Sequence, residues 1–247
     1  MNYLHSPNLP VSRVKTVAIG ERNKRYIAAL KHLGIDCVTL SACETLSASV
    51  QDHADMLLFH LGGNRLLLHS LGAREALELA GFGFAITTIS KPLRATYPLD
   101  CALNALRIGD RLVSGKQTAP EITRYCNANG IHVLYCSQGY ARCSVCVVNQ
   151  NAIITADPSI ASVCVKQGMD VLKISPGHIR LEGYPYGFIG GCCGLIDQNT
   201  LAFTGALEKH PDGDKIATFL AKHHVKYINL TEDVLTDIGG FIPLLCE

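Results

Sequence analysis

The chain has 247 residues, of which 48% are hydrophobic and 17% are charged, and its formal net charge at pH 7 is +1. A net charge so close to zero gives no sign of the basic excess that binding to nucleic acid or acidic membranes requires, so neither is an expected partner. No run of eighteen apolar residues and no signal peptide is present, which predicts a soluble, cytoplasmic protein. Its eleven cysteines are then expected to be mostly reduced thiols.

The length allows one large domain over residues 1–247, with residues 1–13 as an N-terminal extension. Within it, a unit of an amphipathic helix followed by a short apolar strand occurs five times. Apolar residues such as Tyr26 and Leu30 recur at helical spacing, and a glycine such as Gly34 or Gly130 provides the C-terminal stop. The predicted helices cover residues 24–33, 73–80, 120–129, 159–167 and 214–224, and the predicted strands cover residues 35–41, 84–90, 131–137, 169–175 and 225–231.

A predicted β-hairpin precedes four of the five helices. Its two central residues are of types that tolerate the positive φ of tight turns. These centres are Gly63-Asn64, Gly109-Asp110, Gln150-Asn151 and Gln198-Asn199.

The fifth hairpin is split between the ends of the chain. Residues 14–20 precede the first helix as one strand, and residues 237–245 provide the other. Pairing of these N- and C-terminal strands would close five ββαβ units into a ring without open sheet edges.

The repeat resembles the pentein fold, an α/β-propeller of five ββαβ units shared by guanidino-group-modifying enzymes and a ribosome anti-association factor. The phrases "YPLDCALN", "YGFIGGCCG" and "LTDIGGFIPL" resemble an uncharacterised bacterial family of this fold. In the enzymes, the resemblance implies, a Cys thiolate attacks the guanidinium carbon, a His transfers protons, and acidic groups hold the cation at the centre of the ring. The ligand expected in a central cavity is therefore a small molecule.

Four cysteines are candidate nucleophiles. Cys192 and Cys193 lie in a predicted inner strand, where alternation would point them to opposite faces, so only one would face the centre. Cys143 lies beside the equivalent strand of another unit. The resemblance places the nucleophile in the last inner strand, and Cys246 stands at the end of that strand.

Polar residues near the predicted inner strands are candidates for substrate binding. Asp100 and Asp237 each precede such a strand, where each would either meet a cation or cap a turn. Asn104 aligns with Cys193, and Arg142 next to Cys143 would either lower a thiol pKa or bind an anion.

The proton-transferring histidine is not identified from the sequence. The resemblance implies a His-x-Asp or His-x-Glu in an inner strand, and none is present there. His53-Ala54-Asp55 has the spacing but precedes its strand, and His178 with Glu182 approaches "GFIGGCCG"; we expect both pairs to lie in solvated loops. His60 is interpreted as a hydrogen-bonded core residue.

Three functions remain open. The first is a Cys-dependent amidinohydrolase, deiminase or amidinotransferase with Cys192 or Cys143 as nucleophile, and the second is a ring that binds a protein or small ligand without catalysis. The third is a thiolate zinc site formed by Cys143, Cys146 and Cys192 or Cys193, although no cofactor is expected because no second CxxC completes the set.

Overall fold

In the computed structural model, which describes residues 2–69 and 73–247, each predicted helix lies between a hairpin and a strand. Met1 of the predicted extension lies outside the described residues. The first half of the chain contains β1 (Asn2–Tyr3), β2 (Val14–Gly20), α1 (Lys24–His32), β3 (Asp36–Leu40), α2 (Ala54–Leu57), β4 (Leu58–Gly62), β5 (Arg65–Leu68), α3 (Ala73–Gly81), β6 (Ala85–Thr88), β7 (Leu106–Ile108), β8 (Arg111–Ser114), α4 (Pro120–Ala128) and β9 (His132–Tyr135).

The second half repeats the same succession. It contains β10 (Val145–Asn149), β11 (Ala152–Thr155), α5 (Pro158–Lys166), β12 (Asp170–Lys173), β13 (Cys193–Asp197), β14 (Thr200–Phe203), α6 (Gly213–Lys222), β15 (Lys226–Asn229) and β16 (Ile242–Cys246).

The strands form five small sheets, one for each unit. In four of them an antiparallel hairpin is followed by a parallel third strand, with the strand orders β4-β5-β6, β7-β8-β9, β10-β11-β12 and β13-β14-β15. Helices α3, α4, α5 and α6 connect the second strand of these sheets to the third, which is the usual crossover between parallel neighbours, whereas the short α2 precedes β4. The predicted ββαβ repeat is confirmed.

The fifth sheet joins the two ends of the chain, as predicted. Strand β16 pairs antiparallel with β2, with Ile242 opposite Ala18, and β2 pairs parallel with β3. Strand β1 adds to the other side of β16 through Asn2 and Cys246. Part of the N-terminal segment therefore covers a sheet edge that the ring alone would leave open.

Local sequence accounts for the ends of the helices. Proline stands at the first turn of α4 and α5, where its missing N–H costs no hydrogen bond. The Asp157 carboxylate caps α5 by accepting the Ile160 N–H at 2.8 Å. Gly34 and Gly130 follow α1 and α4 with φ of +75° and +68°, the left-handed conformation expected of a helix stop.

Two hairpin turns differ from the prediction. Gly63 and Gly109 adopt positive φ, but the non-glycine residues of the other two turns do not. The pairing shifts register beside both of these turns, between Val147 and Asn149 in β10 and between Leu195 and Asp197 in β13. A shift between His60 and Gly62 in β4 also precedes the Gly63 turn, so the irregularity occurs with and without positive φ.

The expected strand at "GFIGGCCG" begins later than predicted. Residues Ile189–Cys192 form a 3₁₀ turn, and β13 begins only at Cys193. Both thiols consequently hydrogen-bond to one carbonyl, that of Ile189, at 3.1 Å from Cys192 Sγ and 3.2 Å from Cys193 Sγ. The strand alternation expected for this pair is therefore not observed.

Candidate active site

A closed circuit of hydrogen bonds joins the five segments that precede the inner strands, and the candidate site is built on it. We call it the central circuit. It runs from Asp55 to Asn104, Cys143, Gly191 and the 238–239 segment, which returns to Asp55, so every unit contributes one member. The bonds are Asn104 Nδ2 to Asp55 O (3.2 Å), Cys143 N to Asn104 Oδ1 (3.0 Å), Gly191 N to Cys143 O (3.1 Å), Ile238 N to Gly191 O (2.9 Å) and Asp55 N to Gly239 O (3.4 Å).

Cys143 occupies the centre of this arrangement. Its thiol donates to Asp55 Oδ2 at 2.8 Å, and Asn104 Nδ2 donates to the sulfur at 3.0 Å. Because burial and the nearby carboxylates of Asp55 and Asp237 disfavour a thiolate, the pKa of Cys143 is raised well above its usual value. The free protein therefore holds Cys143 as a thiol beside a potential proton acceptor.

Asp55 is an ionisable group in an unfavourable place. Only 1% of the residue is exposed, and its Oδ1 has no hydrogen-bond partner among the described residues. Burial raises its pKa to about 6, against the opposing effect of nearby His53. A buried carboxylate with an unused oxygen is a ready acceptor for a cationic N–H group.

His53 and Asp237 complete the polar cluster. His53 Nδ1 lies 3.7 Å from Asp237 Oδ1, and both side chains are almost fully buried. The two Asp237 oxygens accept the backbone N–H groups of Phe188 (2.9 Å) and Gly239 (3.0 Å), which fix the carboxylate. The nearest side-chain donor atoms of His53, Asp55 and Cys143 all lie within 4.8 Å of one another.

Glycines make room for this cluster. A Cβ on Gly191 would lie 1.8 Å from Asp237 Oδ1, and one on Gly239, whose φ is +71°, would lie 2.3 Å from the Cβ of His53. A Cβ on Gly190 would collide with the carbonyl oxygens of Arg142 and Val145. The glycines of "GFIGGCCG" therefore permit the close approach of backbone to Asp237 and to the Cys143 turn.

Replacement of Gly191 by alanine is expected to displace Asp237 and destabilise the protein by about 1–3 kcal/mol, the usual range for overpacking a buried site. Chemical denaturation measures the loss. Gly81→Ala is the matched control, because Gly81 has ordinary φ, ends a helix and has no atom of the described residues within 4 Å of its added Cβ. Equal stability of the two variants would contradict the assigned contact.

A cleft with a cavity volume of about 260 Å³ opens onto the polar cluster. We call it the aromatic cleft. His53, Cys143 and Asp237 lie on its floor, and its walls are mainly aromatic and aliphatic side chains, including those of Tyr140, Tyr184, Tyr186, Phe188 and Leu181. The thiol is thus at the end of a pocket.

A second depression, the wide groove, shares His53, Leu181 and Asp237 with the cleft. Its cavity volume is about 630 Å³, and Arg22 and Arg25 lie along it. Both guanidinium groups already have acidic partners: Arg22 contacts Asp52 at 2.9 Å, and Arg25 contacts Asp233.

The four candidate cysteines are in different environments. Cys143 lines the aromatic cleft, whereas Cys192 and Cys193 are buried over the Ile189 carbonyl and are not among the residues lining it. Cys246 is buried in β16, with its thiol 3.6 Å from the Asn2 carbonyl oxygen. The structure therefore brings one of the four to the cleft.

The predicted binding residues also separate. Asp237 lines the cleft. Asn104 does not, but its side-chain oxygen accepts the backbone N–H of Cys143 and so positions that residue. Asp100 instead accepts a hydrogen bond from the Tyr140 hydroxyl. Arg142 is buried and donates to Asn8 Oδ1 (3.1 Å) and to the Gly190 carbonyl (3.0 Å), so it holds the circuit together.

Sequence reasoning missed His53 and Asp55, which were expected in a solvated loop. Both are buried, because residues 54–57 form the short helix α2 directly before β4 and turn the pair inward. The available indication was the His-x-Asp spacing itself. Of the other histidines, His60 is a core residue within 2.9 Å of the Gly63 carbonyl, and burial lowers its pKa to about 4.

Comparison with solved structures places this architecture among known folds. Inosamine-phosphate amidinotransferase from Streptomyces griseus is similar with a TM-score of 0.61 and 10% identity, covering 98% of this chain and 97% of that one. An adduct of dimethylarginine dimethylaminohydrolase has a TM-score of 0.56 and 13% identity, and the match covers 94% of this chain and 100% of that one. The agmatine deiminase of C. jejuni has a TM-score of 0.54 and 11% identity, and the match covers 91% of this chain and 90% of that one.

These similarities show the pentein fold, and the structures compared include a complex of C. jejuni agmatine deiminase with its substrate. No curated protein matches the chain in sequence. Within the described residues, no helix is long and apolar enough to cross a membrane. Because residues 18–242 match the family of unknown function DUF6873, the chain belongs to that family.

Proposed function

We propose that the protein is a cysteine-dependent enzyme that acts on a guanidino or amidino compound, with Cys143 as its nucleophile. The observation that carries the proposal is the contact of the Cys143 thiol with Asp55, in one buried cluster with His53 and Asp237 at the end of a cleft. A thiol, a proton acceptor and a second carboxylate are the groups that attack on a planar cation requires.

The two carboxylates suit the cation. A guanidinium or amidinium group has N–H donors in one plane. Asp55 does not line the cleft, but it contacts Cys143 from behind the floor, where its charge attracts a cation bound beside the thiol. Asp237 provides a second negative charge at the cleft floor. Burial and the repulsion from Asp55 and Asp237 raise the pKa of Cys143, and a bound cation would offset the repulsion, so the substrate itself would favour the thiolate.

The proposed reaction then proceeds in two steps. The thiol proton passes to Asp55, the sulfur forms a bond to the amidine carbon, and the C=N electrons move to nitrogen. Collapse expels the substituent amine, which receives a proton from Asp55 or His53. Water or an acceptor amine next attacks the enzyme-bound carbon while one of its protons passes to the Asp55 carboxylate. The C–S bond then breaks with its electrons returning to sulfur, the product leaves, and Asp55 returns the proton to the thiolate.

The similar solved structures support this choice of substrate class. Their names describe an amidinotransferase, a dimethylarginine dimethylaminohydrolase and an agmatine deiminase, each acting on a guanidino or amidino group. The resemblance also implies a cysteine nucleophile, although here Cys143 belongs to a different unit from the last inner strand.

Intact-protein mass spectrometry tests the proposal. The protein is incubated with a panel of guanidino and amidino compounds and quenched in acid, and the released amine is measured in parallel. We expect turnover of at least one compound and an adduct that peptide mapping assigns to Cys143. Absence of product and adduct across the panel, with the folded protein confirmed by circular dichroism, would contradict the proposal.

Metal binding is a second candidate, favoured by the proximity of the His53, Asp55 and Cys143 donor atoms. Imidazole, carboxylate and thiolate are ligands that zinc accepts. This set differs from the Cys143, Cys146 and Cys192 or Cys193 set considered from the sequence. Elemental analysis of protein purified without a metal-affinity tag distinguishes the two functions: stoichiometric zinc that disappears in Cys143→Ser and Asp55→Asn would favour the metal site.

A further inference from the structure

The walls of the aromatic cleft are fixed in place by contacts behind them. The Tyr140 ring lies 6.1 Å from that of Phe188, which lies 6.3 Å from Tyr186, and Tyr97 packs behind Tyr140 at 5.6 Å. The Tyr140 hydroxyl is held by Asp100. A rigid aromatic wall is prepared to contact an apolar group at little entropic cost.

The rim of the cleft exposes aromatic surface. Tyr184 and Tyr186 are 45% and 41% exposed, and the hydroxyl of Tyr184 already donates to Ser47 Oγ at 3.2 Å. What the Tyr184 side chain offers a ligand is therefore chiefly its ring. Together with Leu181, these rings form an apolar passage above a negatively charged floor.

Charge is distributed unevenly along this passage. Among its described lining residues there is no arginine or lysine, and the basic group that is present, His53, lies on the floor against Asp237. A carboxylate or phosphate at the far end of a substrate would find no cationic partner in the cleft and would lose hydration against aromatic rings. The alternative path for such a group is the wide groove, where Arg22 and Arg25 are already paired with acidic side chains.

We infer that the substrate carries an uncharged aromatic or aliphatic arm on its amidine or guanidine group, and that this arm lies in the aromatic cleft with no anionic group at its end. This inference rests on the proposed function. The cavity of about 260 Å³ is large enough to hold benzamidine or phenylguanidine. The floor holds the cationic head and the rings contact the arm.

Calorimetric titration tests the inference with benzamidine, phenylguanidine and arginine as probes. Benzamidine is expected to bind at least about tenfold more tightly than arginine. Tyr186→Ala should weaken benzamidine binding about three- to tenfold, while Tyr186→Phe preserves it because the ring remains. Tyr186 is at the rim, so its replacement leaves the central circuit intact. Arg22→Gln, in the wide groove, should leave benzamidine binding unchanged.

The inference is overturned if arginine binds more tightly than benzamidine, if benzamidine does not bind, or if Tyr186→Ala binds it as the parent does. Loss of arginine binding in Arg22→Gln would place the substrate arm in the wide groove instead. Tyr186-dependent binding of benzamidine, with no product or adduct from any compound of the panel, would keep the aromatic cleft as a binding site and refute the proposed function. Cys143-dependent turnover of arginine and of no other compound in the panel would support the proposed function and overturn the inference about the substrate arm.

Discussion

Cys143→Ser is expected to lower turnover of a guanidino or amidino substrate by about a thousandfold or more, the scale of loss when a covalent nucleophile is removed. Serine preserves the size of the side chain and can donate to Asp55 as the thiol does. Its hydroxyl is a much weaker nucleophile, so binding should remain while the chemical step fails. Steady-state kinetics, with substrate binding measured separately, detects this division.

Cys192→Ser provides the matched comparison. The Cys192 thiol donates to the Ile189 carbonyl and is not among the residues lining the cleft, and serine can donate to the same oxygen. We therefore expect turnover within about threefold of the parent protein, a change below 1 kcal/mol in the barrier. Inactivation by the Cys192 change, with Cys143→Ser still active, would assign the nucleophile to the other turn.

Asp55→Asn is expected to stabilise the protein at neutral pH while abolishing turnover. Burial raises the pKa of Asp55 from its usual 3.8 to about 6, so the ionised form is disfavoured in the folded state. At about 1.4 kcal/mol per pKa unit, removing the charge is worth up to about 3 kcal/mol. The new amide N–H needs a partner, at a cost of about 1–2 kcal/mol, which leaves an expected gain of about 1–2 kcal/mol, or roughly 2–8 °C in melting temperature.

The stabilisation expected from Asp55→Asn depends on pH. Between pH 3.8 and about 6 the folded protein binds more protons at Asp55 than the unfolded chain, so stability falls as pH rises through this window. The advantage of Asp55→Asn should therefore be absent below the unfolded pKa and complete above about pH 6. Turnover of the parent should show the opposite trend and decline as pH falls through about 6, because protonated Asp55 neither accepts the thiol proton nor attracts a cation.

Asp237→Asn is the contrasting variant. Both Asp237 oxygens accept backbone N–H groups, one from Phe188 and one from Gly239. In asparagine, an NH₂ group would replace one of these oxygens and would face a backbone N–H, so two donors would meet without an acceptor. It should lower stability at neutral pH, by about 1–3 kcal/mol for the unsatisfied pair. Thermal unfolding of both variants from pH 4 to 8 measures the difference, and a stabilised Asp237→Asn or a destabilised Asp55→Asn would refute the assigned environments.

The elements of the fold were predictable because they depend on local patterns. Helix spacing, glycine stops and hairpin turns are each written within a dozen residues, and their fivefold recurrence identified the ββαβ unit. The pairing of residues 14–20 with 237–245 followed because four hairpins and five helices left two strands without partners. Positions within a unit were less predictable, and "GFIGGCCG" begins as a 3₁₀ turn rather than a strand.

The site was only partly predictable for a different reason. The sequence identified Cys143, Asn104 and Asp237 as candidates but ranked them with Cys192, Cys193, Cys246, Asp100 and Arg142, because all stand near inner strands. It gave His53 and Asp55 the His-x-Asp spacing and no means of knowing that α2 would turn both inward. The contacts in the cluster are between residues far apart in the chain, such as Asp55 and Cys143, so local sequence patterns do not reveal them.

The sequence by itself determined the repeat, the closing strands and a supply of thiols and carboxylates near the ring centre, since hydrophobic periodicity and turn chemistry act over short stretches. Only the tertiary structure decided which of these groups meet. The central circuit takes one segment from each unit. The residue at which each inner strand begins determines which side chain faces the cleft. In "GFIGGCCG" that choice placed Gly191 against Asp237 and the two thiols over one carbonyl, while Cys143 of the neighbouring unit came to lie beside Asp55.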